Sequence, residues 1–144
     1  MHVMNRLRGF RLAMALAAVL FTAGAAVAAA PTVTVDPNGH LKTGPNGPRT
    51  VATVSITTQC TLDQSATLTV YIFQSVGRLI NIGIGTAAFT CSGGSDVSTV
   101  DVSAIPGLKF QPGPATLIVH TETTDPVTFA ITKSDTGAKV KLHP

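Results

Sequence analysis

From Thr32 onward, apolar and polar residues alternate with a period of two, in runs of five to eleven residues cut by glycine, proline and asparagine. That period places alternate side chains on opposite faces of a strand. The run from Thr50 to Cys60 is the clearest, with Ala52, Val54, Ile56, Thr58 and Cys60 on one face and Thr53, Ser55, Thr57 and Gln59 on the other. Ala66 to Gln74 predicts a second strand, with Ala66, Leu68, Val70 and Ile72 inward and Thr67, Thr69, Tyr71 and Phe73 outward. Leu79 to Ile84 predicts a third, with Ile80, Ile82 and Ile84 on its core face. Ala87, Phe89 and Cys91 share a face of the next. Val97 to Val102, Ala115 to Glu122, a segment carrying Val127, Phe129 and Ile131, and a short last run with Val140 and Leu142 complete the set.

The breaks are turn chemistry. Asp36-Pro37-Asn38-Gly39, Gly44-Pro45-Asn46-Gly47-Pro48, Ser92-Gly93-Gly94-Ser95 and Ser134-Asp135-Thr136-Gly137 each cluster residues that favour turns. The stretch from Gly39 to Arg49 is expected to be a mobile loop. Gly83 and Gly85, inside a strand pattern, signal a bulge or a close backbone approach. No helical period occurs. Seven to nine short strands at this spacing predict an all-β antiparallel sandwich in a single domain.

The residues before Thr32 read differently. Arg6, Arg8 and Arg11 precede an apolar run from Leu12 to Val27, which ends in Ala26-Val27-Ala28. This is the pattern of a cleaved export signal, residues 1–28, leaving a domain over residues 29–144. Cleavage after Ala30 is the alternative, but it would leave Pro31 at the first mature position. Neither a lipoprotein cysteine nor a twin-arginine pair accompanies the run, and free secretion to the extracellular space is the expected fate. No later stretch has the roughly 18 apolar residues of a membrane span.

Removing the signal changes the charge. Three of the ten Lys and Arg leave with it, and the seven that remain balance the seven acids. The precursor's formal charge of +3 is therefore no footprint for nucleic acid or an anionic membrane. It also turns the two cysteines, Cys60 and Cys91, into candidates for a disulfide, since both sit at inward positions in a chain bound for an oxidising compartment. They lack the C-x-x-C spacing of a redox pair.

Chemistry-bearing patterns are sparse. His120 and Glu122 share a strand face, a pair that could bind a metal or move a proton, yet one histidine and one acid fall short of a ligand set. No nucleophile elbow, calcium loop or phosphate loop is present. No cofactor and no catalytic residue are predicted. The best candidate is a surface patch made by Tyr71 and Phe73 with Ile118, His120 and Glu122, all opposite the core faces of their strands.

Thr32-Val33-Thr34-Val35-Asp36-Pro37-Asn38-Gly39-His40, the strand ending at Cys60, Ile82-Gly83-Ile84-Gly85-Thr86 before Cys91, and Phe110-Gln111-Pro112-Gly113-Pro114-Ala115 together resemble a family of small secreted actinobacterial proteins known only as a domain of unknown function. The resemblance implies an immunoglobulin-like β-sandwich with one disulfide, and no site residue. The start Ala29-Ala30-Pro31-Thr32 also resembles the enediyne-carrier apoproteins, which have two disulfides where this chain has one. The expected function is non-enzymatic: binding a cell-surface or secreted protein as an envelope-associated module, with small-molecule carriage as the alternative.

Overall fold

The computed structural model describes residues 28–144, so the expected signal lies, apart from Ala28, outside the described residues. Eight strands follow: β1 Thr32–Val35, β2 Asn38–Gly44, β3 Gly47–Gln59, β4 Ser65–Val76, β5 Leu79–Thr90, β6 Ser95–Ala104, β7 Gly113–Thr124 and β8 Ile131–His143. Alternation carries through to burial: Ala52, Val54, Ile56 and Thr58 on β3 are buried, and so are Leu68, Val70 and Ile72 on β4 and Leu117 and Val119 on β7.

The expected immunoglobulin-like sandwich is not what forms. The strands close into a ring in the order β3-β2-β8-β7-β4-β5-β6 and back to β3, a seven-stranded barrel. It is a mixed barrel, because β2 runs parallel to β8 while the other neighbours are antiparallel. β1 stays outside the ring, pairing only with the end of β3 at Ile56 to Gln59. Alternation could not distinguish the two folds, since both need one buried face per strand. The difference lies in two short seams that join what would otherwise be separate sheets. At one, Gly83 and Ile84 pair with Ala104 and Ser103; at the other, Asn38, Gly39 and His40 pair with Lys141, Leu142 and His143.

Each seam has an inward glycine. A Cβ on Gly39 would lie 2.9 Å from Leu142 Cδ2, and one on Gly83 would lie 2.5 Å from Phe110 Cζ and 2.9 Å from the Ser103 carbonyl. The sheet turns its corner where no side chain stands in the way. The same fact overturns the expected facing of β5. Asn81, Gly83 and Gly85 point inward, and Ile80, Ile82 and Ile84 point out.

Three further expectations fail for local reasons. Gly39 to Arg49 is not a loop but most of the β2–β3 hairpin. Ser134 to Gly137 continues β8, held in register by β7. Val127 and Phe129 lie in the β7–β8 loop, and only Ile131 begins a strand.

The two barrel ends are closed differently. At one, the segment 105–112 folds over the opening and buries Phe110 completely. Buried Gln74 clamps it, its amide donating to the Gln111 carbonyl at 2.7 Å and its carbonyl accepting the Gln111 N–H at 2.8 Å. Asn81 donates to the Lys109 carbonyl at 2.5 Å. At the other end, Cys60 and Cys91 form the expected disulfide. Beside it, the wall lining changes from aliphatic to hydroxyl: Thr58, Thr121, Thr123 and Ser134 bury hydroxyls with no hydrogen-bond partner. Such a group costs about 1–3 kcal/mol. Thr121→Val and Thr123→Val are each expected to raise stability by about 1 kcal/mol, measured from the urea midpoint; a loss in both would show that the hydroxyls are bonded in solution.

Candidate functional site

The outer surface of β5, β4 and β7 is a sheet face with nothing packed on it among the described residues, and its centre is apolar. Register builds it row by row. Ile84 on β5 lies opposite Tyr71 on β4, which lies opposite Ile118 on β7. In the next row Ile82 faces Phe73, and Phe73 faces Thr116. Ile80 and Ser75 follow. Cross-strand neighbours stand about 4.5–5.5 Å apart at Cβ, so these side chains form one continuous surface. Ile80 is 60% exposed, Ile84 45% and Ile118 38%, while Tyr71, Phe73 and Ile82 are half-buried by one another.

The patch has a charged border. His120 Nδ1 lies 2.5 Å from Asp135 Oδ1, and Lys133 Nζ lies 3.1 Å from Glu122 Oε2, both across the β7–β8 ladder. His120 and Glu122 share a face, as expected, but each is engaged by a different residue of β8. They form no joint acid–base or ligand set, and no group of three or more His, Cys, Asp or Glu residues that could hold a metal occurs among the described residues. On the other side of the patch, Phe73, Ser75, Thr116 and Lys139 line a shallow hollow of about 300 Å³ with Pro114 and Ala115.

All five residues of the expected patch, Tyr71, Phe73, Ile118, His120 and Glu122, thus reach one outer face. Sequence reasoning missed the isoleucines of β5. What hid them was Asn81-x-Gly83-x-Gly85, a row that reads as too polar and too small for a core face and is nevertheless the buried one.

Charge is sorted along the barrel. The half nearest the disulfide carries Asp63, Asp96, Glu122, Asp125 and Asp135 with Lys133. The other half carries Lys42, Arg49, Arg78, Lys109, Lys139 and Lys141 with Asp101, and Asp36 lies near the middle, bonded to Ser55. Two of these aspartates are held below the usual carboxylate range. Asp101 accepts the Thr53 hydroxyl at 2.6 Å and faces Lys42 at 3.4 Å. Asp125 accepts the backbone N–H groups of Thr128 and Val127 at 2.7 and 2.9 Å. A lowered folded-state pKa contributes stability in full above the unfolded value, about 3.9, and that contribution is lost as pH falls through the folded value. Unfolding midpoints are therefore expected to be unaffected by these two groups from pH 8 to 5 and to fall below about pH 4. Asp101→Asn should flatten part of that acid limb.

No protein-family model matches this chain, and no curated protein matches it. Among solved structures, the crystal structure of AggA, the major subunit of aggregative adherence fimbriae type I from Escherichia coli, is similar at 13% identity and a TM-score of 0.44, over 81% of this chain and 96% of that one.

Proposed function

We propose that this protein is a secreted, non-catalytic binding module whose contact surface is the outer face of β5, β4 and β7. One observation carries the reading. Ile80, Ile82 and Ile84, with Tyr71, Phe73 and Ile118, make a contiguous apolar surface on the solvent side of strands whose core faces are already filled. A single exposed apolar residue needs no explanation, but a bordered cluster of this kind marks an interaction site. Its rigid aromatic centre and polar rim suit a cell-surface or secreted protein. The arginine-headed leader and the disulfide support export.

Small-molecule carriage is the weaker reading. The barrel axis is occupied by side chains, Phe110, Leu68, Ile72 and Leu117 among them, and the hollow beside Phe73 has one aromatic wall. A carrier should bring its ligand through native purification.

The test is binding of labelled protein to surface and secreted fractions of the producing cells, comparing wild type with Ile84→Asp and Tyr71→Ser. Both variants should remain folded, losing no more than about 2 kcal/mol, the worth of the two cross-strand pairs that each Tyr71 or Ile84 change disturbs. They should bind at least about 30-fold more weakly, the loss of a contact worth about 2 kcal/mol. Undiminished binding by both would sink the proposal.

A further inference from the structure

The barrel is neutral as a whole but not at its ends. Besides its acids, the disulfide end exposes Leu62 to 58%, Val127 to 82% and Phe129 to 76%. The opposite end, with Arg49, Arg78 and Lys109, exposes Leu79 to 66% and Ile105 to 42%. Each end therefore has an apolar spot set among charges mostly of one sign, five acids against Lys133 in the disulfide half, and the dominant signs of the two ends are opposite.

The apolar spot at the acidic end is built to protrude. Asp125 organises the loop: its carboxylate accepts the N–H groups of Val127 and Thr128, its carbonyl accepts that of Phe129, and its own N–H donates to Ala130. Phe129 sits at φ +57°, in the left-handed region that a bulky residue rarely occupies. A backbone held there, with the ring in water, is favourable only if something offsets the strain and the exposure.

We infer that copies of this chain associate end to end, the acidic, Phe129-bearing end of one barrel seating on the basic end of the next beside Leu79 and Ile105. A second copy fits better than other occupants because it accounts for both ends at once. A polyanion would use the basic end and leave Phe129 in water. An anionic lipid surface would meet Asp63 and Asp125 beside the apolar tip and be repelled. The contact joins two different surfaces, so it is heterologous and leaves a free end on each side. Charges on opposite ends of one barrel lie well beyond the Debye length of about 8 Å at physiological salt. Attraction therefore acts only as two ends approach, and the contact is salt-sensitive.

Sedimentation of the purified secreted protein tests this. Wild type should form chains that lengthen with concentration, and its association constant should fall by about tenfold or more between roughly 0.05 and 0.5 M salt. Phe129→Gly removes the ring and suits the left-handed backbone, so it should be monomeric without losing folding stability. Arg78→Glu with Lys109→Glu should also be monomeric. Mixed, the two variants each retain one intact end that matches the other's, and 1:1 dimers that grow no longer are expected. A wild type monomeric up to its solubility limit would overturn the inference. So would a closed dimer that both variants still form. Neither result would touch the β5–β4–β7 face, whose substitutions lie elsewhere.

Discussion

Cys60→Ala with Cys91→Ala is expected to lower folding stability by about 3.5–4 kcal/mol. The bond spans 31 residues, and closing a loop of that length in the unfolded chain accounts for the figure. Against the roughly 5–15 kcal/mol of a whole domain this is a large fraction, equivalent to a fall in melting temperature of about 15 °C or more. The position of the bond adds a structural reason. β5 pairs with β6 only at Gly83 and Ile84, and from there to Thr90 it has no partner on that side. The disulfide ties the far end of that gap, joining the end of β5 to the end of β3, whose Gln59 pairs with Ser95 at the start of β6. Backbone bonds from Cys91 N–H to the Gln64 carbonyl and from Asp63 N–H to the Cys91 carbonyl then fix the adjoining loop. Urea unfolding of the oxidised protein and the double alanine variant gives the difference directly. A loss below about 1 kcal/mol would mean that the unfolded chain gains little freedom when the bond is removed.

What the sequence made legible is what local periodicity encodes. β3, β4 and β7 alternate cleanly, each burying one row, and their facings follow from that pattern alone, while their ends extend up to three residues beyond it. The disulfide follows from two cysteines at inward positions and the expectation of export. Barrel closure is a different kind of information. It depends on which edges meet, and only Gly83, inside a strand pattern, hinted at it, while Gly39 read as part of a turn. The facing of β5 went astray for the same reason. Isoleucine at every second position reads as core, but Asn81 is inside because it bonds the Lys109 carbonyl, and Gly83 because Phe110 fills its space. Both causes sit in a segment nearly thirty residues downstream. The candidate face was therefore half legible. Tyr71, Phe73 and Ile118 stood out against clear core rows, while the isoleucines that complete it were hidden by a tertiary contact. The end-to-end charge sorting was invisible in one dimension, since acids and bases are interspersed along the chain and separate only when hairpins stack them.

Phe110→Ala should be the most damaging single substitution in the core. Phe110 is the largest fully buried side chain, and it comes from a segment without regular structure rather than from a strand. Its removal leaves a cavity at the barrel end, at a cost of about 3–5 kcal/mol. The surroundings cannot collapse to fill it, because Gln74 and Asn81 pin the segment on either side and the Phe110 N–H is bonded to the Arg49 carbonyl. Gly83→Ala attacks the same contact from the other side. Its new methyl would lie 2.5 Å from Phe110 Cζ, and overpacking of this kind costs about 1–3 kcal/mol. The two changes are coupled, since one vacates the space that the other needs. The double variant is therefore expected to be more stable than the sum of the single losses implies, by about 1 kcal/mol or more. Relief will be partial, because the methyl also meets the Ser103 carbonyl at 2.9 Å, and that backbone atom belongs to the β5–β6 seam itself. A double-mutant cycle on unfolding free energy measures the coupling. Strict additivity would mean that Gly83 is required by the backbone of the seam alone, and that the aromatic plug and the barrel corner are independent features.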